Sequence, residues 1–321
     1  MRRRLSGRQL CAFCLLAVLA PALCFLCGLA WYTALLGGAL CALALMGFLV
    51  LWRSCGRPGL SEVILEVWGS RAGKILLAAQ SALLILLLNG LASGVSAAFP
   101  DTQTQPFTPL VLLAVCAWAC RRGRDAVVRA CGVLFLFLAA LLICVFFFAL
   151  PDVHLRRLLQ PVHLASPAAL GVLLLPGCGL FLAEGQTEEQ TPGGWLCALA
   201  ILPAAAAAFC AAVPGSRGSF YQMAKSVEVL SVAQRIEPLV SVAFVIGWFG
   251  CICLLGLSVG AICGAMGRDP DRCAAAACLA AIPGAIAPVT FCTEAFLPAS
   301  AVTILLPALT LLRRRKMRNE K

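Results

Sequence analysis

The sequence predicts an all-α polytopic membrane protein of ten transmembrane helices, arranged as two oppositely oriented halves of five. Three observations predict it. Of the 321 residues, 62% are hydrophobic and only 12% charged, a composition outside the range of soluble globular domains. The apolar residues fall in runs near the length of about 20 residues that a helix needs to cross the hydrocarbon layer. Between the runs the charge is lopsided: with the first segment starting inside, 20 of the 25 Lys and Arg residues lie on the cytoplasmic side, the bias that orients helical membrane proteins.

Each apolar run is expected as a helix, because only a helix pairs all its backbone amides within itself in lipid. The first five cover 9–29, 31–52, 74–98, 107–120 and 131–150; the second five cover 168–183, 195–213, 238–266, 273–290 and 296–312. The first follows the basic start MRRRLSGR, an order that imitates a cleavable signal. No small-x-small site with a polar flank follows, and PALC has Leu where a lipobox needs a small residue, so it is kept as a span. The basic stretches 53–74, RRGRDAVVR, Arg268 with Arg272, and the tail RRRKMRNEK (313–321) then lie inside with both termini. They read as stop-transfer and headgroup contacts, and no aromatic or motif pattern supports nucleic acid.

The whole chain, 1–321, reads as a single membrane domain. Its halves, 9–150 and 168–312, are nearly equal in length, and five spans per half force the second to run opposite to the first, the geometry of an inverted repeat. Nineteen cysteines are scattered through the spans. The pairs Cys11/Cys14 and Cys24/Cys27 have metal-site spacing, but no second element completes a site, and they read as small apolar packing residues. His154 and His163 flank an outer loop and receive no ligand role. No nucleophile elbow, phosphate loop or metal cluster is present in the sequence, so neither enzyme activity nor a cofactor is expected.

One stretch breaks the apolar pattern. LPGCGLFLAEGQTEEQ opens with Pro176, Gly177, Cys178 and Gly179; proline removes a backbone donor and the glycines tolerate unwinding. Inverted-repeat transporters interrupt the first span of each half near the midplane, exposing helix ends to a small polar ligand. Pro21 lies at a comparable depth in the first span. Both prolines also admit a plain kink. Glu184, just beyond the sixth span, is an ionisable group near hydrocarbon and a candidate for proton coupling; with Glu188 and Glu189 it also reads as a solvated turn. Asn89 and Ser93, four apart on the third span, share a face and serve either as interhelical hydrogen-bonding groups or as pocket lining. Gln80, Ser81, Ser241 and Ser258 are further polar residues within spans.

Arg121 to Val162 resembles the fourth-to-fifth span region of the GerAB-like spore germination permeases, in which a long apolar span leads to a short outer passage, here Pro151, Asp152, Leu159 and Pro161. Met223 to Phe249 resembles the same family's Lys-Ser and Arg-x-Glu passage through Lys225, Ser226, Arg235 and Glu237. Leu60 to Leu76 resembles its inner loop through Gly69 and Gly73-Lys74. The resemblance implies a LeuT-like 5+5 inverted repeat of the amino acid-polyamine-organocation superfamily. It implies the B subunit of a germinant receptor, multi-pass in the spore inner membrane or cell membrane, beside A-type and C-type subunits.

Combined with the two breaks, this places a small germinant, an amino acid, between spans one and six. The half-helix end at Gly177, Cys178 and Gly179 would meet its carboxylate, unwound carbonyls at Pro21, Ala22 and Cys24 its ammonium group, and Phe181 its side chain. The stretch SFYQMAKSVEVLSVAQRIEP carries Met223, Val227 and Leu230 at helical spacing and reads as a lid or as an interfacial helix. Lys225, Arg235 and Glu237 are its coupling or gating candidates. Two alternatives stand beside the receptor: a secondary amino-acid transporter coupled to protons or sodium, and a scaffold that binds nothing.

Overall fold

The computed structural model describes residues 7–27, 29–98, 107–150, 167–183, 195–212, 220, 237–286 and 291–320. Among them the regular structure is entirely helical. In chain order the elements are α1 (Gly7–Phe25), α2 (Trp31–Ser54), α3 (Leu60–Ala98), α4 (Phe107–Arg121), α5 (Arg124–Ala149), a 3-10 helix η1 (Pro167–Leu182), α6 (Trp195–Ala212), α7 (Glu237–Ala265), α8 (Pro270–Leu279), α9 (Ile282–Ile286) and α10 (Phe291–Asn319). Six of them, α1, α2, α3, α5, α7 and α10, contain stretches long and apolar enough to cross a bilayer, and α4, η1 and α6 are shorter apolar helices. Large apolar side chains face outwards, among them Leu36, Leu40 and Leu43 of α2 and Val133, Leu136 and Ile143 of α5. Such broad apolar outer surfaces suit hydrocarbon and not water, so the chain is a multi-pass helical membrane protein.

The core is built round α1 and η1. Helix α1 packs on α5, α6, α7 and η1, and η1 packs on α10, α1, α2 and α7. Both are buried on nearly every side, as expected of helices that are hydrophobic all round. Trp248 and Phe13 are fully buried, and Phe25 meets Trp248 edge to face at 5.9 Å between ring centroids. Around this pair α2 lies against α6, α3 against α7 and α10, and α4 against α8.

Three of the departures from the expected spans have a clear local reason. Helix α1 runs through Pro21 without interruption, and Leu26 N donates to Ala22 O at 2.8 Å beyond it, so no unwound stretch lies at Pro21. Helix α3 begins at Leu60, well ahead of the expected residue 74, and turns a corner at Gly69 (φ 78°, ψ 166°). The segment before that corner buries Leu60, Val63, Ile64 and Val67 and is clamped to α10. Trp68 Nε1 donates to Thr310 Oγ1 at 3.2 Å, Arg313 stacks 4.3 Å over the Trp68 ring, and Arg314 pairs with Glu66 at 2.9 Å. Only glycine adopts the Gly69 conformation without strain. Gly69→Ala is expected to cost about 2 kcal/mol, read as a lower melting temperature, although a methyl there would touch nothing within 4 Å.

The third departure is the ninth segment, expected as one helix over 273–290. It divides into α8 and α9 around Ala280 and Ala281, because Pro283 has no amide hydrogen and its ring excludes the carbonyl four residues back. Helix α8 starts at Pro270, ahead of the expected 273, because Asp269 Oδ1 accepts from Asp271 N at 3.1 Å and Arg272 N at 3.3 Å with Pro270 next in line, a proline-reinforced N-cap.

Candidate functional site: a central 3-10 helix and the polar cavity at its end

The sixteen residues of η1 contain Pro176 and two glycines in PGCG. At the 3-10 rise of about 2.0 Å per residue they extend about 32 Å, whereas α-helical pitch would give about 24 Å. A run this short thus matches the depth of the hydrocarbon layer, about 30 Å, by adopting the tighter winding. Runs of 3-10 helix beyond four residues are uncommon, and this one is held by its neighbours rather than by propensity.

The sequence-derived site residues fall into distinct places. Gly177, Cys178, Gly179 and Phe181 are buried in η1, and the space beside them is filled by protein. A methyl group on Gly179 would sit 2.5 Å from Cys14 Sγ, and one on Gly177 would sit 2.9 Å from Ile304. Pro21, Ala22 and Cys24 lie further along α1. Seven residues separate Cys14 from Pro21, about 10 Å of helix, so PGCG is seated on the Cys14 level of α1 and not on Pro21 to Cys24. Asn89 bridges the α8–α9 break: Nδ2 donates to Ala280 O at 3.2 Å and Oδ1 accepts from Gly284 N at 3.0 Å. It thereby takes both ends of the i to i+4 bond that the break removes. Nδ2 also donates to Ile85 O at 2.9 Å, which fixes Asn89 as a brace between α3 and the broken ninth segment. Ser93 lies one turn on, half-buried. Glu237 opens α7. Glu184, Lys225, Arg235, His154 and His163 lie outside the described residues.

Around Cys178 a polar seam joins four elements. Ser258 Oγ of α7 lies 3.1 Å from Cys178 O and 2.8 Å from Leu254 O. Cys178 Sγ donates to Thr303 Oγ1 of α10 at 3.9 Å, and Thr303 Oγ1 donates in turn to Ser300 O at 2.6 Å. Gln80 Nε2 of α3 donates to Thr303 O at 3.1 Å, while Gln80 Oε1 is buried with no hydrogen-bond partner among the described residues. Buried acceptors are rarely left so; this one offers a position for a proton donor at the seam. Sequence reasoning noted Gln80 and Ser258 as polar but not as one group, and missed Thr303 and Ser300 altogether.

Below the seam, at the end of the bundle that carries the basic loops, lies a cavity of about 440 Å³. Its wall includes Leu182, the last residue of η1, and Leu257, next to Ser258. Small residues of α7, Gly260, Ala261, Gly264 and Ala265, give it a smooth side. Its rim carries both signs of charge: Arg122 and Arg124, with Glu62, Asp125 and Asp271. Arg124 Nη1 donates to Leu182 O at 3.0 Å, and its Nε pairs with Asp125 Oδ1 at 3.4 Å. A cation on the terminal carbonyl of a helix complements the helix dipole, so α5 caps η1. Arg122 stacks 4.8 Å over Trp118. The corner that presents both arginines depends on Gly123 (φ 94°), beside the Asp271 carboxylate. In sequence these charges inform topology alone, and nothing in their spacing announces a cavity. No family model matches the chain, and no curated protein matches it in sequence.

Proposed function

We propose that the chain is a small-solute-binding membrane protein on a ten-span, LeuT-like 5+5 scaffold. It acts as a B-subunit-like component of a spore germinant receptor, with an amino acid as germinant and A-type and C-type subunits as partners. Both termini are cytoplasmic in this reading. The observation that carries it is an exchange of neighbours. If α1 to α5 are matched in order to η1, α6, α7, the α8–α9 pair and α10, most packing partners map onto one another. Helix α1 lies on α5 as η1 lies on α10; α1 on α6 as η1 on α2; α3 on α10 as α7 on α5; α4 on α7 as α8 and α9 on α3. The pairs α2–α6, α3–α7 and α4–α8 map onto themselves. Two five-helix halves related by a pseudo-twofold require this pattern. The match is partial: α1 on α7 and α7 on α8 are extensive where their counterparts, η1 on α3 and α3 on α4, are much smaller, and α10 on α2 and η1 on α6 have only weak counterparts.

The cavity supports the solute class. Guanidinium and carboxylate groups on one rim offer partners to both ends of a zwitterion, and the seam behind Leu182 adds neutral acceptors. A solute bound there would touch the end of η1, the element whose packing spans both halves. Because the cavity opens at one end of the bundle, a secondary transporter coupled to protons or sodium is the second reading.

The test uses the full chain purified in detergent and reconstituted in vesicles, with the common amino acids as a panel. At a concentration one hundred times its Kd, a binder is expected to stabilise the fold by about 2.7 kcal/mol, read as a rise in melting temperature. Gly264→Leu, which fills the cavity wall, removes that rise. A panel with no shift for any member overturns the reading. Uptake that collapses with an uncoupler replaces the receptor with the transporter.

A further inference from the structure

A second groove, of about 400 Å³, runs between the first turns of α1 and the matching turns of α5. It owes nothing to the solute-binding reading. Arg8 and Leu15 line it from α1, and Arg129, Gly132, Val133 and Leu136 line it from α5. On each helix the lining residues span seven positions, two turns on one face, or about 10 Å of rise. The two arginines sit at one end. Beyond them the wall is apolar and turned outwards: Val133 is 70% and Leu136 68% exposed. At Gly132 the groove is open: a methyl group there would meet nothing within 4 Å among the described residues. The nearest acid on α5, Asp125, pairs with Arg124.

We propose that this groove binds one anionic phospholipid, with its phosphate between the Arg8 and Arg129 guanidinium groups and an acyl chain along Gly132, Val133 and Leu136. Guanidinium groups match phosphate oxygens in geometry and charge, and basic pockets between transmembrane helices are where anionic headgroups bind. The apolar wall selects the lipid over a free anion, which could use only the arginine end. It also lies where a bilayer supplies chains, on a face that hydrocarbon covers in any case. The bound lipid would join α1, which packs on η1, to α5, which caps it.

Native mass spectrometry of the full chain, given equal phosphatidylglycerol and phosphatidylcholine, tests this. The wild type is expected to retain one phosphatidylglycerol. Arg129→Gln lowers its retention about fivefold, the effect of one cation near the headgroup. Gly132→Leu fills the groove, leaves both arginines, and abolishes the adduct without lowering the melting temperature of the lipid-free protein; it carries the test alone if Arg129→Gln fails to fold. Equal retention of both lipids overturns the proposal, as does an adduct that survives Gly132→Leu. Displacement by inorganic phosphate makes the site one for free anions, and a dimer lost in Gly132→Leu makes the face an interface between copies; either result also overturns it.

Discussion

Gly171→Ala is expected to lower the melting temperature of the purified protein sharply, at a cost of about 3 kcal/mol. Gly171 is where η1 crosses α10. A methyl group there would lie 2.6 Å from the Cα and N of Leu297 and from the carbonyl carbon of Phe296. Those atoms are backbone, so no rotamer change relieves the clash, and the two helices have to move apart. Gly47→Ala on α2 is the control, because its methyl meets nothing within 4 Å. That change gains helix propensity, about 1 kcal/mol, and is expected to leave the melting temperature unchanged or raised. A thiol-reactive fluorophore reads both, since the buried cysteines of the core, Cys14, Cys178, Cys251 and Cys253 among them, react only as the bundle opens. Equal melting of Gly171→Ala and wild type would show that η1 is not seated on α10 in this way.

Asn89→Leu is expected to cost about 3 kcal/mol, the penalty of leaving two backbone groups unpaired. The carboxamide holds Ala280 O and Gly284 N, which the proline-induced break would otherwise leave open. In hydrocarbon no water replaces it. Asn89→Asp keeps the acceptor for Gly284 N, loses the donor for Ala280 O and sets a carboxylate against that carbonyl in hydrocarbon, so it is expected to be at least as destabilising as Asn89→Leu. Unfolding of all three proteins in mixed micelles ranks them; a leucine variant as stable as the asparagine would mean that the break closes by itself.

Hydropathy located the helices because membrane burial writes itself into composition. It could not report winding. Nothing in PAALGVLLLPGCGLFL distinguishes a 3-10 helix from an α-helix, since both satisfy the backbone internally and both are apolar all round. The same uniformity hid the contact between the first and sixth segments. PGCG reads in sequence as an interruption, whereas η1 runs through it unbroken, and α1 is so evenly apolar that no stripe tells which level faces it; that level is Cys14 rather than Pro21. The inner stretch of α3 reads in sequence as an inner loop for a different reason: the nine residues ahead of Gly69 are too few for a span, and the face they bury is explained by α10. At Pro283 the signal was in the sequence, and the apolar run around it masked the break. The cavity arginines are visible as charges, yet their convergence with Glu62 and Asp271 depends on three separate parts of the chain.

The winding of η1 has a mechanical consequence. Its sixteen residues gain about 0.5 Å each over ordinary helical pitch, so rewinding them would shorten the segment by about 8 Å. With Arg124 fastening the Leu182 end, that slack would have to be taken up from the Pro167 end, by drawing chain inward or by sliding η1 along α10. Substitutions that loosen the Arg124 grip would let the shortening be shared between both ends instead.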